Sequence, residues 1–286
     1  MIVGTRGSAL ALAQTKLVTD ALGGDVEIRV IKTAGDRSAK PIRELEDGAF
    51  VAAIERALRS GECDLAVHSL KDLPVAGADD LVVAAIPARG DPRDALITRS
   101  RGGLSDLPPR AVVGTSSPRR AAFVRALRPD ATVCDVRGNV DTRMRKVADG
   151  ELDAVMLAVV GLMRLGFAVG DHEALDVRDC PPAPGQGALA VQVRADDVKL
   201  REHVARTLDD PQTRRAVTAE RALLALLGAS CDIPLGALAR VEGGGDVLLY
   251  AALATESGIR RTTARARDPQ AAAERAAEAL EVAVGA

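Results

Sequence analysis

Short apolar runs alternate with helical patterns along the first part of the chain. Strand-like runs at 2–4, 26–31 and 64–68 are separated by apolar positions at helical spacing over 9–22 and 50–59. Such alternation is typical of βαβ units that build a mainly parallel sheet. The sequence therefore predicts an α/β unit in this region.

A second series of the same kind follows. Its strands are expected at 95–98, 111–114, 132–136 and 152–158, and its helices at 118–127 and 140–148. Segments rich in proline and glycine, at 87–92 and 181–187, border this series, and we interpret them as crossings between domains. A strand expected at 188–193 would return to the first sheet and make the first domain discontinuous.

The last part of the chain predicts a small α+β domain. A helix that begins after Asp210 and stops at Gly228 is followed by strand-like runs at 237–241, 247–255 and 260–265 and by a helix near 270–284. The predicted fold class is α/β, with two βα domains and a small C-terminal α+β domain. The predicted domains are residues 1–88 with 186–206, residues 93–181, and residues 209–286.

Composition narrows the functional classes. The 286 residues carry a net charge of -2 and include no Trp, one Tyr and three Phe. The chain therefore has neither a generally basic surface nor the aromatic side chains on which bases stack, and we do not expect it to bind nucleic acid. No apolar run is long enough to span a bilayer, so no membrane partner is expected. Four cysteines lack metal-ligand spacing and no export leader is visible, so we expect a cytoplasmic protein without a metal site.

Three loops share one design, in which a strand ends, a small polar residue caps a helix, and arginine lies close by. The capping candidates are Ser8, Ser117 and Asn139. The arginines are Arg6, Arg119, Arg120, Arg137 and Arg143. Because a guanidinium grips a carboxylate with two hydrogen bonds, the loops predict a site for a ligand with several carboxylates at the sheet edge. Surface ion pairs would explain any one arginine, and phosphate competes as the anion, although no phosphate-binding loop is present.

Two further residues stand out at loop positions. Asp72 follows the strand at 64–68 beside Lys71, where an ionised carboxylate would stabilise a cation or relay a proton; an ion pair or turn cap is the structural alternative. Cys231 lies just past a helix end, as a reachable thiol or as a partly buried loop cysteine. His68 is expected to be a structural histidine rather than a metal ligand.

Taken together, these segments resemble the porphobilinogen deaminase family, also called hydroxymethylbilane synthases. The matching segments, in family order over nearly the whole chain, are residues 4–14, 67–74, 91–94, 114–120, 137–139 with 142–143, 161–166, 184–187 and the segment around Cys231.

The resemblance implies three domains, the first two arranged like a two-lobed solute-binding protein. It implies a dipyrromethane cofactor bonded through a thioether to Cys231, and an activity that joins porphobilinogen units head to tail with loss of ammonia and releases hydroxymethylbilane. It further implies Asp72 as the catalytic residue and a monomeric state. The implied cofactor contacts are Lys71, Thr115, Ser117, Arg119, Arg120, Arg137, Gly138 and Gln186. The implied substrate contacts are Arg6, Ser8, Arg143 and Arg164.

One region departs from the family pattern. Many relatives carry lysines in the loop that corresponds to residues 44–50, whereas this chain has acids there and only Phe50 aligns well. Lys40 or Arg43 would have to substitute, or the loop contributes less to cofactor binding.

Two alternatives belong to other functional classes. A non-catalytic cytosolic polycarboxylate-binding protein of the same two-lobed fold would explain the arginine loops, but neither Asp72 nor Cys231. A phosphotransferase would need a phosphate loop and a magnesium pair that the sequence lacks.

Overall fold

The computed structural model describes residues 1–33, 51–167, 172–228 and 233–281. The chain divides into two compact units, residues 1–90 with 187–215 and residues 91–186 with 216–286. The division into three domains stays a prediction. Within the described residues, no helix has the length and apolar character needed to cross a membrane.

The first unit is a five-stranded sheet with helices on both faces. Its strands are β1 (Ile2–Thr5), β2 (Glu27–Val30), β3 (Leu65–Ser69), β4 (Leu81–Ala85) and β10 (Leu189–Arg194), in the order β2-β1-β3-β10-β4. Its helices are α1 (Ala9–Leu22), α2 (Ala52–Arg59) and α6 (Val198–Leu208). Val18 of α1 and Val204 of α6 pack with Leu65 on one face, while Ile54 of α2 packs with Ala66 on the other.

The second unit contains a second five-stranded sheet. Its strands are β5 (Asp94–Thr98), β6 (Val112–Gly114), β7 (Thr132–Cys134), β8 (Ala154–Ala158) and β9 (Glu173–Ala174), in the order β7-β6-β8-β5-β9. Its helices are α3 (Pro118–Leu127), α4 (Val140–Ala148) and α5 (Val159–Arg164). Phe123 of α3 packs with Leu96 and Met156 on one face, and Val147 of α4 packs with Val155 on the other.

The same unit also includes a small antiparallel sheet. Strands β11 (Leu235–Val241), β12 (Val247–Thr255) and β13 (Gly258–Ala266) pair in chain order. Helix α7 (Pro211–Leu226), in which the division between the units falls, and α8 (Pro269–Glu281) pack on this sheet through Leu223 and Leu280. The predicted fold class is confirmed: there are two sheets of βα units and a small C-terminal α+β part.

The prediction of a mainly parallel sheet in the first unit is confirmed for four of its five strands, because β3 and β4 are both antiparallel to β10 and so run in the same direction. In the first sheet β1 is parallel to β2 and β3, but β10 is antiparallel to β3 and β4. In the second sheet β5 is antiparallel to both of its neighbours. Parallel neighbours need a crossover helix, and both β5 and β10 follow proline-rich crossing segments instead. The predicted return of the strand near 188–193 to the first sheet is confirmed.

Candidate functional site

The three predicted helix caps are present. Ser8 Oγ accepts from Ala11 N at 3.2 Å, Ser117 Oγ from Arg120 N at 3.4 Å, and Asn139 Oδ1 from Thr142 N at 3.3 Å. Each cap fixes the helix start close after a strand end, which places the arginines of that loop at the carboxyl edge of its sheet. The capping geometry thus explains how a local sequence pattern positions the charged side chains.

In the first unit, the carboxyl ends of β1 and β3 border a cavity of about 110 Å³. The two strands are parallel neighbours, so the segments that follow them share one edge. The charged and polar lining residues include Arg6, Ser8, Gln14, His68, Ser69, Lys71 and Asp72. Four predicted site residues, two from each loop, therefore lie around one cavity.

Asp72 is the only carboxylate that lines this cavity among the described residues. It ends a short 3₁₀ turn, Leu70–Asp72, which directly follows β3, and its side chain is exposed. Leu70 anchors the turn: its side chain is buried and its backbone N–H donates to Ala188 O at 3.0 Å. A carboxylate on an anchored turn, in a cavity that Arg6 and Lys71 also line, is suited to stabilise positive charge on a ligand.

In the second unit, Arg119 and Arg120 are buried and both pair with Asp94. Arg119 Nη2 lies 2.7 Å from Asp94 Oδ2, and Arg120 Nη2 lies 2.7 Å from Asp94 Oδ1. Asp94 is fully buried, and although burial opposes ionisation, the two guanidinium groups hold its pKa well below the usual range. Arg119 Nη1 also donates to Pro181 O at 2.5 Å, and Arg120 Nη1 donates to Met156 O at 3.1 Å. Asp94 and these backbone carbonyls therefore occupy most of both guanidinium groups, and the contacts of the two arginines with ligand carboxylates stay a prediction.

The cluster keeps an excess of positive charge. Two guanidinium groups face one carboxylate, and Arg119 Nε is buried without a hydrogen-bond partner in the described part of the chain. Gln186 is also buried here, and its Nε2 donates to Pro92 O at 2.7 Å and to Asp94 Oδ1 at 2.9 Å. Thr115 is buried beside the α3 cap, where its Oγ1 accepts from Ser117 N at 3.2 Å.

A second group of cations surrounds the start of α4. Burial and the charges of Arg120 and Arg137 lower the pKa of Arg143 to about 10, against the opposing effect of Asp135. Arg143 Nε donates to Gly138 O at 2.8 Å, whereas Arg137 Nη2 is buried with no partner among the described residues. Arginines that repel one another and leave a buried N–H unpaired form a site that an anion would complete.

Gly138 has a specific backbone role in this loop. Its φ is +103°, and a Cβ atom at this position would lie 2.7 Å from Thr142 side-chain atoms. Only glycine fits this turn, which carries the chain from Arg137 into the Asn139 cap. Arg164, at the end of α5, is half-buried, and desolvation lowers its pKa to about 10.

Several predicted features lie outside the described residues. They are Cys231 and the loop at 44–50 with Lys40 and Arg43. The other three cysteines are described: burial raises the pKa of Cys63 to about 11 and that of Cys180 to about 12, and the pKa of half-buried Cys134 is also raised. Within the described ranges, no group of His, Cys, Asp and Glu side chains is arranged to hold a metal ion.

Sequence reasoning missed residues whose roles depend on tertiary contacts. Asp94 lies in a recognised segment, but its two arginine partners follow 25 and 26 residues later. Buried Glu220 accepts from Gly185 N at 2.7 Å and from Ala239 N at 2.8 Å, and so ties the turn that contains Gln186 to β11. A charged residue inside the apolar stripe of a helix was the available signal for Glu220.

Two family models match the chain. The model described as "Porphobilinogen deaminase, dipyromethane cofactor binding domain" matches residues 1–202, and "Porphobilinogen deaminase, C-terminal domain" matches residues 214–283. Among solved structures, an arginine-specific periplasmic binding protein from Salmonella typhimurium aligns with a TM-score of 0.38 and 12% identity, over 75% of this chain and 96% of that chain.

Curated relatives agree with the family models. A porphobilinogen deaminase from Thermus thermophilus is 49% identical over 263 residues, which cover 90% of this chain and 86% of the relative. One from Mycolicibacterium paratuberculosis is 51% identical over 242 residues, which cover 84% and 76%. The two family models together span both units, and the first includes the loops that carry the arginines and Asp72. The chain belongs to the porphobilinogen deaminase family.

Proposed function

We propose that this chain polymerises porphobilinogen head to tail with loss of ammonia, on a covalently bound dipyrromethane primer, and releases hydroxymethylbilane for tetrapyrrole and haem biosynthesis. The observation that carries the proposal is the cavity of the first unit, where Asp72 lies among cationic side chains in a chain that belongs to this family. A polycarboxylate-binding protein has no need for a carboxylate at that point.

The cationic groups of the second unit fit a ligand with several carboxylates. Arg119 and Arg137 each have a buried N–H group without a partner among the residues that the structure describes. These groups and the mutual repulsion of Arg120, Arg137 and Arg143 favour anion binding. The residues proposed to hold dipyrromethane are Lys71, Thr115, Ser117, Arg119, Arg120, Arg137, Gly138 and Gln186. When bound, this group supplies the pyrrole end to which substrate is added.

We propose a thioether to Cys231 as the covalent attachment. The raised pKa values of Cys63, Cys134 and Cys180 keep those thiols protonated at neutral pH, and only the thiolate is a strong nucleophile. This supports Cys231 as the attachment point, in agreement with its place in the family segment.

Asp72 acts on the substrate. As the C–N bond of the aminomethyl group breaks and ammonia leaves, positive charge spreads into the pyrrole ring of porphobilinogen. A carboxylate held near the pyrrole N–H stabilises that charge and costs little reorganisation, because its turn is anchored before the reaction begins. The acetate and propionate groups keep their charge in this step, and they are bound by Arg6, Ser8, Arg143 and Arg164.

The remaining expectations belong to the same proposal. We propose a cytoplasmic monomer with three domains, at residues 1–88 with 186–206, 93–181 and 209–286. Light scattering after gel filtration tests the monomer, and limited proteolysis with mass analysis of the fragments tests the boundaries.

Turnover of porphobilinogen tests the function. The purified protein is incubated with porphobilinogen, and ammonia and hydroxymethylbilane are measured over time. We expect four molecules of ammonia for each linear tetrapyrrole, since each of its four rings enters with loss of one amine. Tight binding without ammonia release would instead support the polycarboxylate-binding alternative and contradict the proposal.

A further inference from the structure

A buried histidine borders the cavity of the first unit and has no part in the proposed chemistry. His68 lies in β3, is 6% exposed, and lines the same cavity as Asp72. Its Nε2 atom is buried and has no hydrogen-bond partner within the described ranges. Native proteins rarely leave such an atom unpaired, so its position at a cavity wall points to a partner that binds there.

A side chain that interacts with the imidazole lies on the adjacent strand. Gln192 of β10 pairs with Ala66 of β3, so its side chain and that of His68, two residues further along, share one face of the sheet. Gln192 Nε2 donates to Glu55 Oε1 at 3.1 Å, which leaves the carbonyl oxygen Oε1 as the free end of the amide. That oxygen is buried, and the hydrogen bond between the Gln192 side chain and the imidazole raises the pKa of His68.

The imidazole is neutral at neutral pH. Burial lowers the pKa of His68 to about 4, the charge of Arg6 acts in the same direction, and the opposing effect of Gln192 is smaller. A neutral imidazole has one N–H and one nitrogen lone pair. Because Gln192 Oε1 only accepts hydrogen bonds, it favours the tautomer whose N–H points toward it, and the lone pair is then left for a ligand.

We propose that His68 accepts a hydrogen bond from an N–H group of a porphobilinogen unit in this cavity, with Glu55 and Gln192 setting the imidazole tautomer. The inference rests on the proposed function. Porphobilinogen carries two kinds of N–H donor, the pyrrole nitrogen and the aminomethyl group. Arg6 and Lys71 only donate hydrogen bonds, so they suit its carboxylates and leave its N–H groups to acceptors such as Asp72 and His68.

Nitrogen NMR of the histidines tests the proposal directly. The chain has three histidines, so ¹⁵N-histidine labelling gives few signals, and His68→Gln assigns one of them. The Asp72→Asn holoenzyme is used, because its turnover is expected to be roughly 100- to 1000-fold slower. The protein is saturated with porphobilinogen and, separately, with an analogue that has methyl in place of aminomethyl. We expect the unprotonated nitrogen of His68 to shift while the signals of His172 and His203 stay in place.

The two ligands distinguish the donors. A shift with both identifies the pyrrole N–H, and a shift with porphobilinogen alone identifies the amine; either result supports the proposal. An unchanged His68 signal at saturation overturns it.

Kinetics give an independent test. His68→Phe is expected to lower kcat/KM for porphobilinogen about 3- to 10-fold, the effect of losing one hydrogen bond, while the mass of the bound cofactor is retained. His68→Gln keeps an acceptor and recovers part of the loss, and the exposed His203→Gln is the unaffected control. Normal kcat/KM in His68→Phe contradicts the proposal.

If His68→Phe fails to fold, the NMR result decides. Wild-type protein without turnover would contradict the proposed function as well, whereas normal wild-type turnover with an unmoved His68 signal contradicts this inference alone.

Discussion

At the scale of single residues, the site depends on how burial and charge set the state of each polar group. Asp72 is exposed on an anchored turn, His68 is buried and neutral, and Asp94 is buried and ionised between two arginines. The sequence pointed to Asp72 because it follows a strand beside a lysine. It gave no reason to separate His68 from an ordinary core residue, because the cavity that His68 borders is built by strands and loops distant in sequence.

Replacing Asp72 tests its role in stabilising positive charge. Asp72→Asn keeps the shape and removes the charge, so we expect the cofactor to remain bound and kcat to fall roughly 100- to 1000-fold. Steady-state release of ammonia measures this, with intact mass as the check on cofactor content. Asp79→Asn, an exposed change in the same unit, is the matched control. Near-normal turnover by Asp72→Asn would refute the assigned role.

The buried imidazole of His68 predicts a pH dependence of stability. Its pKa is lowered from 6.5 to about 4, so between these values the unfolded chain binds a proton that the folded chain does not. Above pH 6.5 the imidazole is neutral in both states and does not lower the free energy of unfolding. As the pH falls from 6.5 toward 4, the free energy of unfolding decreases by up to about 3 kcal/mol. Urea unfolding at pH 7 and pH 5 should show a smaller decrease for His68→Gln than for wild type. His203→Gln should follow the wild type, and an equal decrease in all three proteins would contradict this explanation.

At the scale of elements, local signals predicted most of the described helices, whereas tertiary contacts determine much of the sheets. The bounds of α1, α3 and α4 were predicted correctly, because a capping residue and a glycine or a broken apolar pattern marked their ends. Strands β4 and β9 and helix α6 were missed, and the direction of β5 and β10 was not predicted. The direction of a strand depends on the connecting segment that precedes it, and the apolar periodicity of the strand contains no information about that connection.

The contribution of the Asn139 cap of α4 to stability should be measurable separately from the other contacts of its loop. Asn139 Oδ1 accepts from both the backbone and the side chain of Thr142, so Asn139→Ala is expected to cost about 1 kcal/mol of unfolding free energy. Asn139→Asp retains the acceptor and should remain close to wild type. Urea unfolding measures both variants, and equal stability of Asn139→Ala and Asn139→Asp would show that the cap is unimportant.

Asp94 connects β5 to α3, and its loss should be far more costly. Asp94→Asn leaves two buried guanidinium groups without a counter-charge, so we expect a loss of about 3–5 kcal/mol at pH 7. Asp91→Asn, which removes a partly exposed pair with Arg93 in the same segment, should cost less than about 1 kcal/mol. Thermal unfolding of the two variants provides the comparison. Similar stability would mean that the buried triad contributes no more than a surface pair.

At the scale of the whole molecule, the proposed roles are divided between the two units. The first unit holds Asp72 and two of the residues that are proposed to bind substrate, and the second holds the arginines that are proposed to bind a polycarboxylate ligand. The family resemblance could be recognised from short loop segments because these loops carry both the helix caps and the charged side chains. The distribution of ion pairs could not be predicted in the same way, since Asp94 pairs with Arg119 and Arg120 through contacts that form only in the folded unit.

The most direct test of the central claim is the intact mass of the purified protein. We expect the wild-type chain to carry an increment of one dipyrromethane, and Cys231→Ala to lack both the increment and the turnover of porphobilinogen. Cys134→Ala, which changes a half-buried thiol of raised pKa, should keep both. An unmodified wild-type chain that still converts porphobilinogen, or an increment that survives in Cys231→Ala, would contradict the account.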